Sequence, residues 1–272
     1  MKLCSIIILT YNALSYTRIC IESLFKYTTP FFEMIIVDNG STDGTVNFLN
    51  NLPFKSARTG DYRTQDFSSY HSHKTTVMNK RDIKPKRIAI LKNQANIGFA
   101  KGCNQAAAIA GGDTLLFLNN DTMVGKNWLD NLLHCINSSP SIAVVNPCSN
   151  FNPYAQVNVP YQGLKEIQNF INNYNKKNPV KWRESDGASG FCLLVKRVLF
   201  EQFGGFDERF EVGCYEDTDL TYRLHKAGYK IIIAGDTYVH HFGNKTFQAN
   251  NLNLSQYMQD NFRRFHEKHH GE

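Results

Sequence analysis

Apolar positions first fall in a short, β-branched run from Leu3 to Leu9, the pattern of a strand buried on both faces of a parallel sheet. From Ser15 to Tyr27 the spacing changes, and Ile19, Cys20, Ser23 and Leu24 recur as on one face of a helix. Phe32 to Val37 predicts a second strand. It is closed by the polar turn Asp38-Asn39-Gly40-Ser41-Thr42-Asp43-Gly44, where Thr42 or Asp43 caps a helix through Leu49. Arg87 to Leu91 predicts a third strand, Asn104 to Ala110 a small-residue helix, and Leu115 to Leu118 a fourth strand. Strand and helix alternating in this way predict an α/β fold, with a parallel central sheet, right-handed crossovers and a ligand beyond the carboxyl ends of the strands.

Between Pro53 and Pro85 the rhythm breaks into a polar, basic stretch with no clear period, expected to be an insertion on the sheet's edge with His71 and His73 solvated. Helices are then expected over Trp128 to Ile136, Leu164 to Tyr174, Lys196 to Phe203 and Leu220 to Ala227, the last stopped by Gly228. Ala143 to Asn146, Gly187 to Val195 and Lys230 to Ala234 read as strands, and Gln256 to His269 as a basic closing helix.

The 272 residues, 42% hydrophobic, suffice for one large domain or two fused halves. The charge is local: nine Lys or Arg against three Asp between Lys55 and Arg87 equal the net +6 of the whole chain. A single basic segment suggests an anionic substrate or membrane face and argues against nucleic acid as a partner. Arg263, Arg264 and Lys268 are expected to assist at such a membrane face. The seven cysteines are odd in number and never spaced Cys-x-x-Cys, which disfavours a disulfide framework or zinc site and suits a reducing compartment. With no signal sequence and no apolar run of about 20 residues, a cytoplasmic protein is expected, peripheral at the inner face of the cell membrane at most.

Two acidic segments carry the chemistry. Asn119-Asn120-Asp121-Thr122 follows a buried strand, which places Asp121 at the ligand edge of the sheet; alone, Asp121 reads equally as a ligand for magnesium or manganese and as a helix cap. Tyr215-Glu216-Asp217-Thr218-Asp219 sets three carboxylates ahead of a helix, more than capping needs, and Asp217 is the strongest candidate for a proton acceptor. His240-His241 follow a strand, and one of them is a plausible second ligand once Asp121 is placed. Asn96-Ile97-Gly98-Phe99-Ala100-Lys101-Gly102 reads as a glycine-bearing loop before a helix, able to offer amides to phosphate yet neither a dinucleotide fingerprint nor a Walker loop.

In order along the chain, several segments resemble the inverting nucleotide-sugar glycosyltransferases of family 2, of the bacterial rhamnosyltransferase and O-antigen type. They are Ser5 to Asn12, Val37 to Thr45, Asn96 to Asn104, Leu118 to Thr122, Gly190-Phe191-Cys192, Phe206-Asp207-Glu208 with Glu216 to Leu220, His240 to Gly243, and Asn261 to Lys268. An expected Trp after the last of these is His269 here. The resemblance covers nearly the whole chain except residues 53–87. It implies a GT-A fold: a Rossmann-like, mostly parallel sheet flanked by helices, with a fused acceptor-binding half. Residues 1–125 would form the nucleotide-sugar half, 126–245 the acceptor and base half, and 246–272 a C-terminal basic helix.

The same resemblance implies that Asp38, with Thr10, Tyr11 and Asn12, holds the nucleoside of a UDP- or dTDP-sugar, and that Asn96, Gly98, Lys101, Asn119 and Asn120 serve the same donor. Asp121 and His241 would hold Mn2+ or Mg2+, with Asn119 standing where the family has a first acidic ligand and so weakening the grip. Asp217 would be the catalytic base, and Glu216 and Asp219 would orient it or bind the acceptor, a saccharide or lipid-linked saccharide. Two other readings are a sugar-phosphate nucleotidyltransferase and a non-catalytic carbohydrate-binding relative. The first wants a glycine-rich basic loop where Thr10-Tyr11-Asn12-Ala13 stands.

Overall fold

The computed structural model describes residues 2–52, 57–59, 62–66, 85–161 and 163–271. The first strand, β1 (Cys4–Thr10), leads through α1 (Leu14–Tyr27) to β2 (Phe32–Asp38) and α2 (Thr45–Asn50). Asp43 ties the two helix starts together: one carboxylate oxygen accepts from the Thr45 amide at 3.1 Å and the other from the Leu14 amide at 2.8 Å. The short strands β3 (Ala57–Thr59) and β4 (Tyr62–Asp66) pair antiparallel and join β5 (Arg87–Lys92) at the edge of the sheet. The rest of the basic insertion, with His71 and His73, lies outside the described residues. At its end Arg87 is held inward, 3.0 Å from the buried Glu33 carboxylate.

Next come α3 (Phe99–Ala108), β6 (Thr114–Asn119), β7 (Thr122–Met123), α4 (Trp128–Asn137) and β8 (Ile142–Cys148). The remaining elements are α5 (Leu164–Tyr174), β9 (Trp182–Ser185), β10 (Cys192–Lys196), α6 (Arg197–Gln202), α7 (Glu216–Lys226), β11 (Lys230–Tyr238), β12 (His240–His241), α8 (Lys245–Ala249) and α9 (Leu254–His270).

Ten strands form one sheet in the order β3-β4-β5-β2-β1-β6-β10-β8-β11-β9. The run β5-β2-β1-β6 is parallel, as the buried β-branched segments predict, and so is the pair β8-β11. Side chains alternate between two cores. Ile6, Ile8, Leu116 and Leu118 pack with Trp128 and Leu132 on one face, and Ile7, Leu115 and Phe117 with Phe200 and Phe206 on the other.

One antiparallel strand in the middle of the sheet shapes the site. β10 runs antiparallel between β6 and β8, with Cys192 opposite Leu118. The start of β10 therefore lies at the carboxyl end of β6, and the segment expected to begin this strand, Gly187 to Phe191, is a loop at the ligand edge.

Two further boundaries differ from the sequence reading. The third helix starts at Phe99, so Lys101 and Gly102 are helical. A Cβ on Gly102 would run into Leu9, so this glycine lets α3 approach β1 closely and does not mark a turn. The seventh helix starts at Glu216, which places the acidic cluster in its first turn. All seven cysteines are free, six of them buried. Among the described residues no helix is long and apolar enough to cross a membrane.

Candidate active site

Beyond β6 the chain turns through Asn120 and Asp121 into β7, which pairs antiparallel with β12 so that Thr122 faces His241 and Met123 faces His240. This two-stranded ladder is the reason residues 120 apart in sequence meet: His241 Nε2 lies 3.0 Å from Asp121 Oδ1 and 3.4 Å from the Asn119 side-chain amide. The Lys245 amide donates to the other Asp121 oxygen at 3.0 Å. Burial pushes the Asp121 carboxyl up, but the His241 ring and the Lys245 amide together bring it below its usual value.

Phe191 stacks on the His241 ring at 5.1 Å and 16°, and Phe151 meets it edge-on at 5.6 Å. His240 turns the other way, toward the Tyr238 hydroxyl at 3.2 Å and the Phe242 ring. Burial and the neighbouring His241 depress it to about 4, so it is a neutral packing residue.

A divalent cation fits the Asp121–His241 pair. Carboxylate and imidazole suit manganese, and 3.0 Å between the two atoms is about the spacing of adjacent ligands around an octahedral ion with bonds of roughly 2.1 Å. Among the described residues no group of three or more His, Cys, Asp or Glu converges as a metal site. The rest of such a shell would come from substrate oxygens and water.

Asp121 and His241 line a cleft of about 690 Å³ that Glu216 and Asp217 also line, with Tyr11, Asn96, Asn119 and Asn120 around it. Asp217 is fixed by its neighbours: Oδ2 accepts from the Gly190 amide at 2.5 Å and Oδ1 from the Thr218 amide at 2.7 Å. Burial raises its carboxyl above the ordinary value, only partly offset by these donors. Glu216 is 5% exposed, and its Oε2 has no partner. Burial, and then the charge of Asp217, push Glu216 well above the usual glutamate value. The chain reaches this pair through Val212, Gly213, Cys214 and Tyr215, all with positive φ. For each non-glycine residue such a backbone costs roughly 1–3 kcal/mol, so the approach is held by its surroundings.

On the donor side Asp38 ends β2 beside Thr10, its register partner on β1. It is 1% exposed; Oδ2 accepts from the Ser41 amide at 3.1 Å, while Oδ1 has no partner. An orphaned buried acceptor there suits an imide N–H. Tyr11 and Asn96 lie on the cleft wall; Asp38, Thr10, Asn12, Gly98 and Lys101 are not part of it. The Thr10 hydroxyl is engaged with Thr17 and the Asn120 amide. Asn12 Oδ1 accepts from the Thr42 and Asp43 amides, bracing the turn after β2. Gly98 has φ +87° and lies close to the Val212 backbone, and Lys101 is exposed on α3.

Asp219, expected to orient Asp217 or bind the acceptor, is buried in an ion cluster. Arg223 Nη2, Lys268 Nζ and His269 Nε2 lie 2.7, 2.6 and 2.7 Å from its carboxylate. Arg264 pairs with Glu211, Lys268 also with Asp207, and Arg263 with Asp260 on its own helix, so all three cations expected at a membrane face have partners within the protein.

The sequence profile described as Glycosyl transferase family 2 matches residues 5–60 and 70–204. This chain belongs to glycosyltransferase family 2. The enzyme is 32% identical over 152 residues to the O-antigen biosynthesis protein RfbC of Myxococcus xanthus, a match covering 51% of the chain but 12% of that much longer protein. It is 24% identical over 277 residues to an N-acetylglucosaminyl-diphospho-decaprenol L-rhamnosyltransferase of Mycobacterium tuberculosis, covering 89% of the chain and 76% of the relative.

The fold of this glycosyltransferase matches that of a mannosyltransferase from Pyrobaculum calidifontis at a TM-score of 0.61 and 17% identity, over 96% of the chain and 64% of the other. The S. aureus TarS 1-349 structure with UDP matches at 0.55 and 19%, over 98% and 72%. The sheet and its flanking helices are thus those of a GT-A glycosyltransferase, and the nucleotidyltransferase alternative is set aside.

The profile stops at residue 204, before Asp217 and His241, so the structure is what brings those two to the matched half. It also adds residues to this glycosyltransferase's site that spacing did not single out. Phe151 and Phe191 enclose the His241 ring. Gly190 was visible only as part of a short motif. A Cβ there would come within 3.1 Å of Asp217 Oδ2 and 3.3 Å of its Cβ. Gly190→Ala is therefore expected to shift Asp217 and lower turnover roughly 10–100-fold, since sub-ångström misplacement is costly. Calorimetric binding of UDP should stay near wild type, and an unchanged rate would show that the carboxylate tolerates the shift.

Proposed function

We propose that this enzyme is a metal-dependent, inverting glycosyltransferase. It moves a sugar from a UDP- or dTDP-sugar to a hydroxyl of a saccharide or lipid-linked saccharide, in surface polysaccharide or glycoconjugate synthesis. One observation carries the reading: the Asp121–His241 pair and Asp217, from distant parts of the chain, face a single cleft. Two structural neighbours support a cation in such a site, the mannosyltransferase being a complex with GDP-Man and Mn2+ and GalNAc-T7 one with UDP, GalNAc and Mn2+.

Asp38 accepts from the nucleobase through its free oxygen, and Tyr11 and Asn96 flank the nucleoside. Asp121 and His241 would hold a divalent cation, which would supply charge stabilisation for the departing diphosphate. Asp217 Oδ1 accepts from both the amide and the hydroxyl of Thr218, whereas Oδ2 keeps a second lone pair beside the Gly190 amide. That lone pair takes the acceptor's hydroxyl proton as the oxygen bonds to the anomeric carbon, and the bond to the diphosphate breaks with its electron pair. A single displacement of this kind inverts the configuration. NMR of the product, made from a panel of UDP- and dTDP-sugars, should show the anomeric configuration opposite to the donor's; retention would refute the single displacement.

Glu216 gives the site a measurable electrostatic signature. Its folded-state carboxyl is raised, so the stability tied to the neutral form is complete below the ordinary glutamate value and is lost as pH rises through the raised one. Glu216→Gln copies the neutral form. Thermal unfolding should therefore place this variant above wild type at about pH 8, by roughly 2–4 °C for each kcal/mol relieved, with the gap closing in acid. A variant less stable than wild type at both pH values would show that the ionised form is accommodated.

A further inference from the structure

The closing helix carries a sequence motif, Asn261 to Lys268, that the transfer step leaves unused. Its inward face is built around Asn261, which is fully buried. The side-chain Nδ2 of Asn261 donates to the carbonyls of Glu211, Gly213 and Cys214 at 3.2, 2.9 and 3.0 Å. Arg264, one turn on, donates to Asn261 Oδ1 at 2.8 Å and so sets which end of the amide meets those carbonyls. Two turns on, Lys268 and His269 close on the Asp219 carboxylate. Phe265 packs between these anchors against Tyr215 and Tyr222.

The two grips fall on either side of Glu216 and Asp217. Ahead of the pair lies the positive-φ run from Val212 to Tyr215, a conformation that the chain does not keep unaided. Three of the carbonyls around this run converge on one amide group. Behind the pair, Asp219 is tied to the same helix. We propose that α9 is a clamp that sets the position of Asp217, with Asn261 as the positioning residue. Neither Asn261 nor Arg264 lines the cleft, so their effect passes through the 211–215 backbone. This role rests on the reading of Asp217 as the base. A merely structural role for α9 predicts a different outcome, a general loss of stability with no focus on residues 211–219.

The test uses the full chain with Asn261→Ala, Arg264→Met and Arg264→Lys. Amide hydrogen exchange should quicken at least about tenfold across residues 211–219 in Asn261→Ala, with β1, β2 and β6 unchanged. Turnover, measured with whichever of UDP-glucose, UDP-N-acetylglucosamine or dTDP-rhamnose wild type uses fastest, should fall about 100-fold. UDP binding in the presence of Mn2+ should stay within about twofold, because the donor-side contacts are untouched. Arg264→Met should show a smaller loss, and Arg264→Lys, which still donates to the Asn261 oxygen, should recover most of it.

Unchanged exchange at 211–219 overturns the proposal, as does turnover within about threefold of wild type despite a loosened loop. Faster exchange spread over the whole sheet also overturns it, assigning α9 to global stability. Asp217→Asn, measured alongside, separates the two ideas. If it is inactive while Asn261→Ala is not, the clamp alone fails; if it is fully active, the base assignment fails.

Discussion

Asp217→Asn will leave this glycosyltransferase able to bind donor and unable to transfer. The variant keeps the side chain's shape, and its carbonyl can still accept from the Gly190 amide; the bond from the Thr218 amide is lost, a local change in the first turn of α7. What it loses is a basic lone pair. Positioned general bases contribute typically 10²–10⁴-fold, and a fall of roughly that size in turnover is expected, with the Kd for UDP near wild type. The wild-type pH profile should carry the same signature. The base acts only when ionised, and burial raises its carboxyl, so activity should fall with acid at a pH above the ordinary aspartate value of about 3.9. Glu216, Tyr154, Cys214 and Tyr215 are the titratable groups around it and belong in any fit of that limb. Full activity in Asp217→Asn would remove the proposed chemistry altogether.

Asp121→Ala should have the second large effect, through the cation. Only one carboxylate and one imidazole are offered here, with Asn119 where a further acid would strengthen the grip, so neither ligand has a substitute among the described residues. Loss of Asp121 removes the only negative charge of the pair and leaves the Lys245 amide without its acceptor. Second-shell changes alone typically weaken metal sites 10–100-fold, so loss of a direct ligand should weaken Mn2+ activation by at least about 100-fold. His241→Ala should be milder, because the carboxylate remains. The measurement is turnover against Mn2+ concentration after chelation, beside direct Mn2+ binding to the UDP complex. A chelated wild-type enzyme working at full rate would refute the cation's role.

Much of the fold was readable because burial leaves a plain mark. The runs that became β1, β2 and β6 are apolar through their middles, Ile6–Leu9, Met34–Val37 and Leu115–Leu118, as strands covered on both faces tend to be. Leu164–Tyr174 alternates so regularly that its helix has the expected ends. Glycine caused the misreadings, because its reasons differ from place to place. Gly102 admits a neighbouring strand inside a helix, and Gly190 admits the Asp217 carboxylate. At Gly235 a side chain would strike the Lys181 carbonyl, and β11 continues past it to Tyr238 through a shift in register where the sequence suggested an end.

In the site, the residue types were legible and their partners were not. Asp121 and Asp217 are candidates by residue type and position, while the choice of His241 over His240 comes only from the resemblance. That Asp219 points away from the cleft depends on Lys268 and His269, some 50 positions later, a pairing no local pattern encodes. The antiparallel course of β10, which carries Gly190 and Phe191 to the ligand edge, is likewise a property of the assembled sheet.

The short ladder between β7 and β12 has a consequence for biosynthesis. Asp121 emerges from the ribosome about 120 residues ahead of its imidazole partner, and Lys245, whose amide completes the carboxylate's bonding, follows later still. A nascent chain can pair β1, β2 and β6 early, yet it cannot grasp a cation through this pair until His241 has been made. Fragments ending before His241 should therefore keep whatever nucleoside affinity Asp38 confers while showing no dependence on manganese.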